Sequence, residues 1–450
     1  MGGNGKLGSD SQDRAPRRAP PLRRHNRFLP VARMVARVYA GYKSIQLLGK
    51  AVGADRVEWM YRRQHRIAAE LIYDTATQME GLLIKACQFL GTRADVLPDE
   101  YIEVLSRLHD RVPPRPIGVI APFVERELGR PLSEVFAEFD QVPLAAASLA
   151  QVHRARLHDG REVAVKVQYP EIAQLVELDL ANLGFFVNLL ARLERNFDLR
   201  LILREIKRYV PLELDFEHEA DNATRIRANL RHRADVLVPQ MIREYTTKRV
   251  LVMEYLPGIK ITAVDELAAA QIDRHAVAQR LSEIFCHQIL VDGFFHADPH
   301  PGNILVRPGP QLVLLDFGLA KDFPPGFQHG VARLAHAIIT QNRDTIVAAF
   351  RDLGFRTRNP TGDTLLALGD AFLGQAVRSG KAYADEAMIE QFGQDLAKAL
   401  RANPLVEVPS DILLVIRVMG LLSGIGKQLD SRVDPLGLML PFLQQATALT

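Results

Sequence analysis

The segment that decides the fold begins with His296-Ala297-Asp298-Pro299-His300-Pro301-Gly302-Asn303 and ends with Leu314-Leu315-Asp316-Phe317-Gly318. An acid and an amide, Asp298 and Asn303, are five residues apart, and a second acid, Asp316, follows one short apolar strand. Magnesium prefers carboxylate and amide oxygens as ligands and keeps several waters. The segment therefore predicts that Asn303 and Asp316 hold Mg²⁺ against phosphate groups, while Asp298 orients an attacking hydroxyl and accepts its proton.

The spacing of these residues matches two motifs of phosphoryl-transfer enzymes. Asp298 and Asn303 have the separation found in H-R-D-L-x-x-x-N, and Asp316 begins a D-F-G. Upstream, Val163-Ala164-Val165-Lys166 matches the V-A-I-K strand, whose lysine reaches the α- and β-phosphates of a nucleotide. Because the motifs occur in the expected order, we predict that Lys166 and Asp298 act in catalysis and that Lys166 also binds nucleotide.

Three features of ordinary protein-kinase sites are altered or absent. The phosphate-covering turn reads Ala145-Ala146-Ala147-Ser148, and alanine cannot adopt the positive φ angles that glycine allows. We expect backbone N–H groups of this turn, and Ser148, to contact the phosphates instead. Ala297 replaces the arginine of H-R-D, and no Ala-Pro-Glu follows Gly318. The sequence therefore disfavours a peptide substrate.

These motifs give residues 75 to 330 a resemblance to the UbiB/AarF family of atypical kinases, which is linked to ubiquinone biosynthesis and lipid homeostasis. The alanine-rich turn, Lys166, Glu213-Leu214-Asp215 as the E-x-D motif, and the metal-binding pair carry this resemblance. The resemblance implies that Glu219 is the ion-pair partner of Lys166. It also implies that Glu213 and Asp215 form a second network with the family's N-terminal K-x-G-Q motif.

The K-x-G-Q motif is the place where this chain departs from the family. It reads Lys85-Ala86-Cys87-Gln88, so the lysine and the glutamine are kept and the glycine is replaced. Helical spacing places Lys85 and Gln88 on one face, where both can point into the cleft. Cys87 disfavours the close backbone approach that glycine permits. A further nucleotide-binding candidate is Glu254, at the end of a predicted strand where a hinge between two lobes is expected.

The resemblance also implies an α+β, bilobal protein-kinase-like fold with a small β-rich N-lobe, a large helical C-lobe and an N-terminal helical extension. We predict a disordered basic leader over 1–29, the helical extension over 30–116, the N-lobe over 117–256 and the C-lobe over 257–450. ATP or ADP with Mg²⁺ is the implied cofactor. The implied partner is a membrane lipid or an isoprenoid quinone precursor.

Composition limits the remaining choices. The chain of 450 residues has a formal net charge of +3, which gives no general reason to expect nucleic-acid binding. Its two cysteines provide neither a disulfide framework nor metal-ligand spacing. Eight arginines and no acid lie between Arg14 and Arg37, a pattern that fits either a transit peptide or a basic leader in contact with anionic lipid, although Asp10, Asp13 and the prolines disfavour the transit peptide. We expect a cytoplasmic protein peripheral to the inner membrane, or an organellar matrix protein in a eukaryote.

Two other functions fit parts of the same sequence. A small-molecule phosphotransferase of the aminoglycoside or choline type also carries an H-x-D-x-x-x-x-N loop followed by an Asp. A nucleotide-gated lipid-binding scaffold without turnover would explain the alanine-rich turn and Cys87. Residues 330–450 are predicted to be helical but carry no motif; they could complete the large lobe, form a homodimer contact or face lipid.

Overall fold

The computed structural model describes residues 27–53, 55–91, 97–105, 107–108, 113–193, 200–370, 395–396, 398–431, 438 and 441–442. The chain divides into two units. Unit 1 comprises Met1–Gly160 and Val165–Val210, and unit 2 comprises Arg161–Ala164 and Pro211–Thr450. This division cuts the predicted N-lobe segment, and the four predicted segment boundaries stay predictions. The predicted leader falls outside the described residues up to residue 26.

Unit 1 begins with four helices whose buried faces share one core. They are α1 (Phe28–Val52), α2 (Glu58–Met79), α3 (Leu82–Gly91) and α4 (Asp99–Leu105). Helix α1 is followed by Gly53, which has a φ of +100°, and a short 3-10 turn over Asp55–Val57 precedes α2. Further along unit 1 lie α5 (Ile117–Leu128), α6 (Leu132–Val135) and α7 (Ile172–Leu193).

Helix α7 adds Phe186 to the core of the first four helices. Among the described helices, α7 is the one whose length and apolar composition would allow it to cross a membrane, and 39% of its most apolar window is buried. Several large apolar side chains of α7 are exposed to solvent, namely Leu178, Phe185, Leu189 and Leu193.

The strands of unit 1 follow the predicted strand–turn–strand pattern. They are β1 (Phe136–Phe139), β2 (Ala145–Ala146), β3 (Ala150–Leu157) and β4 (Glu162–Gln168). Strands β1 and β2 both pair antiparallel with β3. The turn between β3 and β4 contains Gly160 with a φ of +88°, as the Asp-Gly pair predicts. The first three residues of β4 belong to unit 2, where the carbonyl of Glu162 accepts the N–H of Tyr255.

Two successive helices, α8 (Arg200–Glu213) and α9 (Phe216–Asn229), follow α7 in the chain. The side chain of Asp215 accepts the N–H groups of Glu217 and His218, each at 3.1 Å, and so caps the start of α9. An aspartate at this position satisfies backbone donors that a helix cannot satisfy itself. The chain therefore begins a new helix at Phe216.

The central sheet of unit 2 has the order β5-β10-β9-β7. Its strands are β5 (Val236–Leu237), β7 (Ile259–Lys260), β9 (Ile304–Arg307) and β10 (Gln311–Leu314), while β6 (Val250–Glu254) runs outside it. A Cβ atom at Gly258 would lie 2.8 Å from the Cβ of Leu305. Glycine is therefore required where the chain leaves β6 and approaches β9.

Two helices precede the segment from His296 to Gly318. Helix α10 (Val264–Ala269) precedes α11 (Arg274–His287), which continues as a π-helical turn over Gln288–Asp292. Strand β8 (Phe294–His296) then pairs antiparallel with β11 (Ala320–Asp322), which follows the D-F-G motif.

The C-terminal region of unit 2 contains α12 (Phe327–Ile339), α13 (Arg343–Asp352), α14 (Asp363–Gly369) and α15 (Ser410–Gln428). These helices share a core that includes Phe327, Phe350 and Ile412. The segment 330–450, which is predicted to be helical, also contains two short strands, because β12 (Arg356–Thr357) pairs with β13 (Leu405–Glu407).

Candidate active site

The β9–β10 hairpin brings the two predicted metal ligands to one end of the sheet. Ile304 is opposite Leu314 in the antiparallel register, and the carbonyl of Asn303 accepts the N–H of Leu315 at 2.8 Å. Asn303 is therefore opposite Leu315, the residue before Asp316. Asn303 and Asp316 are both half-buried. A short hairpin thus brings the backbones of these two residues to one end of the sheet, and their pairing as metal ligands stays a prediction.

Asp316 has an unusual backbone conformation. Its φ of +60° lies in the left-handed region, which residues other than glycine rarely adopt. One carboxylate oxygen, Oδ1, accepts the N–H of Gly318 at 3.3 Å. A Cβ atom at Gly318 would lie 3.9 Å from the Cα of Glu213. The first acid of the E-x-D motif therefore lies beside the D-F-G turn, and a strained residue stands at the predicted metal site. The implied network of Glu213 and Asp215 with the K-x-G-Q motif stays a prediction.

Helix α9 binds the peptide groups on both sides of Phe317. Glu219 Oε1 accepts the N–H of Phe317 at 3.3 Å, and Asn222 Nδ2 donates to its carbonyl at 3.0 Å. All three residues are buried. The resemblance implies that Glu219 pairs with Lys166, which stays a prediction, and no motif pointed to Asn222. The available signal was spacing, because a residue three positions after Glu219 lies on the same face of the helix.

The catalytic loop is positioned through His296, which is 2% exposed. Its Nδ1 accepts the N–H of Asp298 at 3.1 Å, and its Nε2 lies 3.5 Å from the carbonyl of Leu315. These contacts orient the imidazole between the backbone groups of Asp298 and Leu315. The backbone N–H of His296 donates to Oε1 of Gln288 at 2.9 Å. Gln288 lies in the π-helical turn, a feature that is frequent at functional sites, and no sequence motif pointed to it.

The alanine-rich turn is part of unit 1. Ala145 and Ala146 form β2, and the N–H of Ala147 donates to the carbonyl of Ala150 at 2.8 Å. Ser148 is 1% exposed, and its hydroxyl has no hydrogen-bond partner among the described residues. The predicted contact between Ser148 and a phosphate therefore stays a prediction.

The strand lysine has the accessibility that its predicted role needs. Lys166 is half-buried on β4, whereas Val165 and Val167 on either side are fully buried. Because successive side chains of a strand point to opposite faces, Lys166 lies on the opposite face from these valines. Glu254, at the end of β6, accepts the N–H of Gln240 at 3.1 Å. The predicted nucleotide contact of Glu254 stays a prediction.

The K-x-G-Q-like segment lies on α3 of unit 1. Lys85 is half-buried, and the side chain of Gln88 is outside the described residues. Cys87 is 4% exposed within the core of the first helices, and burial raises the pKa of its thiol to about 12. The substituted cysteine is therefore a packed and unreactive side chain, because the thiolate is the reactive form.

The donor set suits Mg²⁺ held jointly with a nucleotide. Among the described residues, no group of three or more His, Cys, Asp or Glu side chains could hold a metal ion. Asn303 and Asp316 provide one amide and one carboxylate at one end of a hairpin. Magnesium is commonly bound by one or two such ligands together with substrate phosphates and water. The residues present therefore fit this ion.

Together the hairpin, the loop and the helix-bound D-F-G turn define a chain of the protein-kinase-like fold class. The model of the ABC1 atypical kinase-like domain matches residues 107–350, more than half of the chain. The chain belongs to the UbiB/AarF family of ABC1 atypical kinase-like proteins. Residues 85–88 precede the matched range, so their correspondence with K-x-G-Q stays a prediction.

Similar proteins come from distant organisms. AarF domain-containing protein kinase 1 of Xenopus tropicalis is 33% identical over 85% of this chain and 74% of its own length. Protein ACTIVITY OF BC1 COMPLEX KINASE 8, chloroplastic, of Arabidopsis thaliana is 33% identical over 84% of this chain, which spans 54% of that relative. The solved complex of Rv3197 with erythromycin from Mycobacterium tuberculosis has a TM-score of 0.61 at 24% identity, covering 85% of this chain and 97% of that one. This likeness supports the predicted α+β kinase-like fold.

Proposed function

We propose that this protein binds ATP or ADP with Mg²⁺ and transfers or hydrolyses the terminal phosphoryl group. The observation that carries the proposal is the β9–β10 hairpin, which holds Asn303 and Asp316 at one end. Bound Mg²⁺ would neutralise charge on the phosphates. Asn303 and Asp316 would hold the ion, and Lys166 would contact the α- and β-phosphates. The carboxylate of Asp298 would orient the attacking hydroxyl or water and accept its proton.

The proposed acceptor is a membrane lipid or an isoprenoid quinone precursor rather than a peptide. The absent Ala-Pro-Glu and the family resemblance support this choice. The proposed location is the membrane surface, in the cytoplasm or an organelle. Unit 1 supports it with the exposed apolar side chains of α7, where Phe185 and Leu189 are 54% and 39% exposed. Basic residues of α1 such as Arg33 and Arg37 are also exposed and would be attracted to anionic lipid.

The nucleotide proposal is tested by calorimetry and by phosphate release. The wild-type chain should bind Mg²⁺-ATP, and Asp316→Asn and Lys166→Ala should each lower nucleotide-dependent turnover by about 100-fold or more. Asp344→Asn is the matched control, because Asp344 is an exposed acid in the first turn of α13. Wild-type turnover in both site variants would refute the assignment.

The acceptor proposal is tested with vesicles and with soluble acceptors. Turnover should rise when vesicles containing anionic lipid are added, and Phe185→Ser with Leu189→Ser should reduce sedimentation with those vesicles. Asn188→Ser on the same helix is the control, since this exposed side chain is already polar. Transfer of phosphate to a soluble aminoglycoside or choline would favour the small-molecule phosphotransferase instead. Nucleotide binding without any turnover would favour the gated scaffold.

A further inference from the structure

Arg115 is a buried arginine of unit 1 that the proposed chemistry does not use. Its side chain is 4% exposed, and its Nη2 donates to Oε2 of Glu80 at 3.2 Å. Glu80 stands between α2 and α3 with a φ of +54°, two residues before the helix that carries Lys85. The Glu80 side chain is 22% exposed, so the pair is buried on its arginine side, and it joins the guanidinium to this helix junction.

The same guanidinium lies against the residue that supports the alanine-rich turn. Its carbon is 5.0 Å from the ring centroid of Tyr169, which is 1% exposed. The hydroxyl of Tyr169 donates to the carbonyl of Ala147 at 3.0 Å, and the backbone N–H of Tyr169 donates to the carbonyl of Leu149 at 3.1 Å. Tyr169 therefore joins Arg115 to Ala147 in the turn and to Leu149 directly after it.

The backbone of Arg115 provides a second connection. Its N–H donates to Oε1 of Gln151 at 2.7 Å, and Nε2 of Gln151 donates to its carbonyl at 3.2 Å. Gln151 is fully buried and lies on β3, opposite Ala146. Arg115 thus reaches the turn by two routes, one through its side chain and one through its backbone.

We propose that Arg115 is a positioning residue that couples the start of α3 to the alanine-rich turn. A shift of the helix that carries Lys85 then changes the conformation of the turn. Arginine suits this task because its planar guanidinium can stack on a ring while donating to a carboxylate, which the lysine ammonium does not do. That the coupling tunes nucleotide affinity rests on the proposed function; the coupling itself does not.

The coupling is tested by hydrogen exchange in the full-length, nucleotide-free protein. The reporters are the N–H groups of Leu144 and Ala147, which donate to the carbonyls of Val152 and Ala150. Glu80→Gln and Tyr169→Phe should each speed their exchange about fivefold, a typical magnitude for coupled sites. In the double variant these N–H groups should exchange no faster than in either single variant, since both changes interrupt the same path. Arg115→Lys should behave like Glu80→Gln.

Two controls separate coupling from general loosening of unit 1. The N–H of Asp140, which donates to the carbonyl of Arg154 in the same sheet, should exchange at its wild-type rate in each variant. Glu138→Gln removes an exposed ion pair with Arg156 and should leave the turn unchanged. If Glu80→Gln does not fold, Tyr169→Phe carries the test alone, because it removes one hydroxyl group.

The outcomes distinguish the coupling from the proposed function. Unchanged exchange at the turn, an additive double variant, or equal acceleration at Asp140 would overturn the coupling. Titration of the same variants with Mg²⁺-ATP should show an affinity about fivefold lower in Glu80→Gln. A turn that responds to Glu80→Gln in a protein without any affinity for Mg²⁺-ATP would support the coupling and overturn the proposed nucleotide function.

Discussion

Replacement of Asn222 by alanine tests whether α9 holds the D-F-G turn in place. The change removes the 3.0 Å hydrogen bond to the carbonyl of Phe317. Both residues are buried, so the carbonyl loses a partner that water cannot readily replace. Leaving a buried acceptor unsatisfied costs about 1–3 kcal/mol. We therefore expect the free energy of unfolding to fall by about 2 kcal/mol.

The same change should weaken nucleotide binding. Asp316 adopts a φ of +60°, which costs about 1–3 kcal/mol and persists only if its surroundings hold it. Without the Asn222 contact, the hydrogen bond from the N–H of Phe317 to Glu219 remains as the described contact between α9 and the turn. If the binding-competent turn becomes a minor conformer at about one molecule in ten, the affinity for Mg²⁺-ATP falls about tenfold.

The assays are urea unfolding followed by circular dichroism, and calorimetric titration with Mg²⁺-ATP. Asn229→Ala is the matched control, because it makes the same chemical change at the end of the same helix and its side chain makes no capping hydrogen bond. The control should stay within about 0.5 kcal/mol of the wild type. If Asn222→Ala resembles Asn229→Ala in both assays, α9 does not hold the turn and the reasoning is wrong.

Three other predictions concern single side chains. Asp215→Ala should lower the free energy of unfolding by about 1 kcal/mol, because it removes the N-cap of α9, whereas Asp215→Asn should keep that cap. Loss of ATPase activity in Asp215→Asn would show that the carboxylate charge of Asp215 also acts in the active site. Cys87 and Cys286 are buried with raised thiol pKa values, so Ellman's reagent should label neither in the folded protein at about pH 8 and both after unfolding; labelling of Cys87 before unfolding would contradict its packing. Burial lowers the pKa of His153 in the folded protein, so the unfolded chain takes up a proton at this residue at a higher pH than the folded chain does. The melting temperature should therefore fall as the pH is lowered below about 6.5. His153→Asn should make this fall of the melting temperature with pH less steep.

The parts of the site that were predictable are those in which chemistry and position are local. The spacing of Asn303 and Asp316 predicts that one short hairpin joins them, and the eleven residues from Ile304 to Leu314 form that hairpin. The Asp-Gly pair predicted the turn before β4. In each case the residues that matter are neighbours in sequence, so turn and strand preferences are sufficient.

The parts that were missed depend on distant packing. Asn222 is 95 residues from Phe317, and only the folded chain shows that α9 lies against the D-F-G turn. Gln288 appears in the sequence as one of several polar residues near the end of a helix, and only the folded chain shows that it accepts the N–H of His296 from a π-helical turn. Cys87 appeared as a defect in a motif, whereas burial makes it part of a core.

The most direct test of the metal site replaces Mg²⁺ by paramagnetic Mn²⁺. In a complex with ADP, electron–nuclear double resonance should show coupling of Mn²⁺ to ³¹P of the nucleotide and to ¹⁵N introduced at asparagine. Asn303→Ala should remove the nitrogen coupling, and Asp316→Asn should lower Mn²⁺ affinity by about tenfold or more. The account would be contradicted if both variants bound Mn²⁺ and ADP with wild-type affinity and gave the wild-type spectrum.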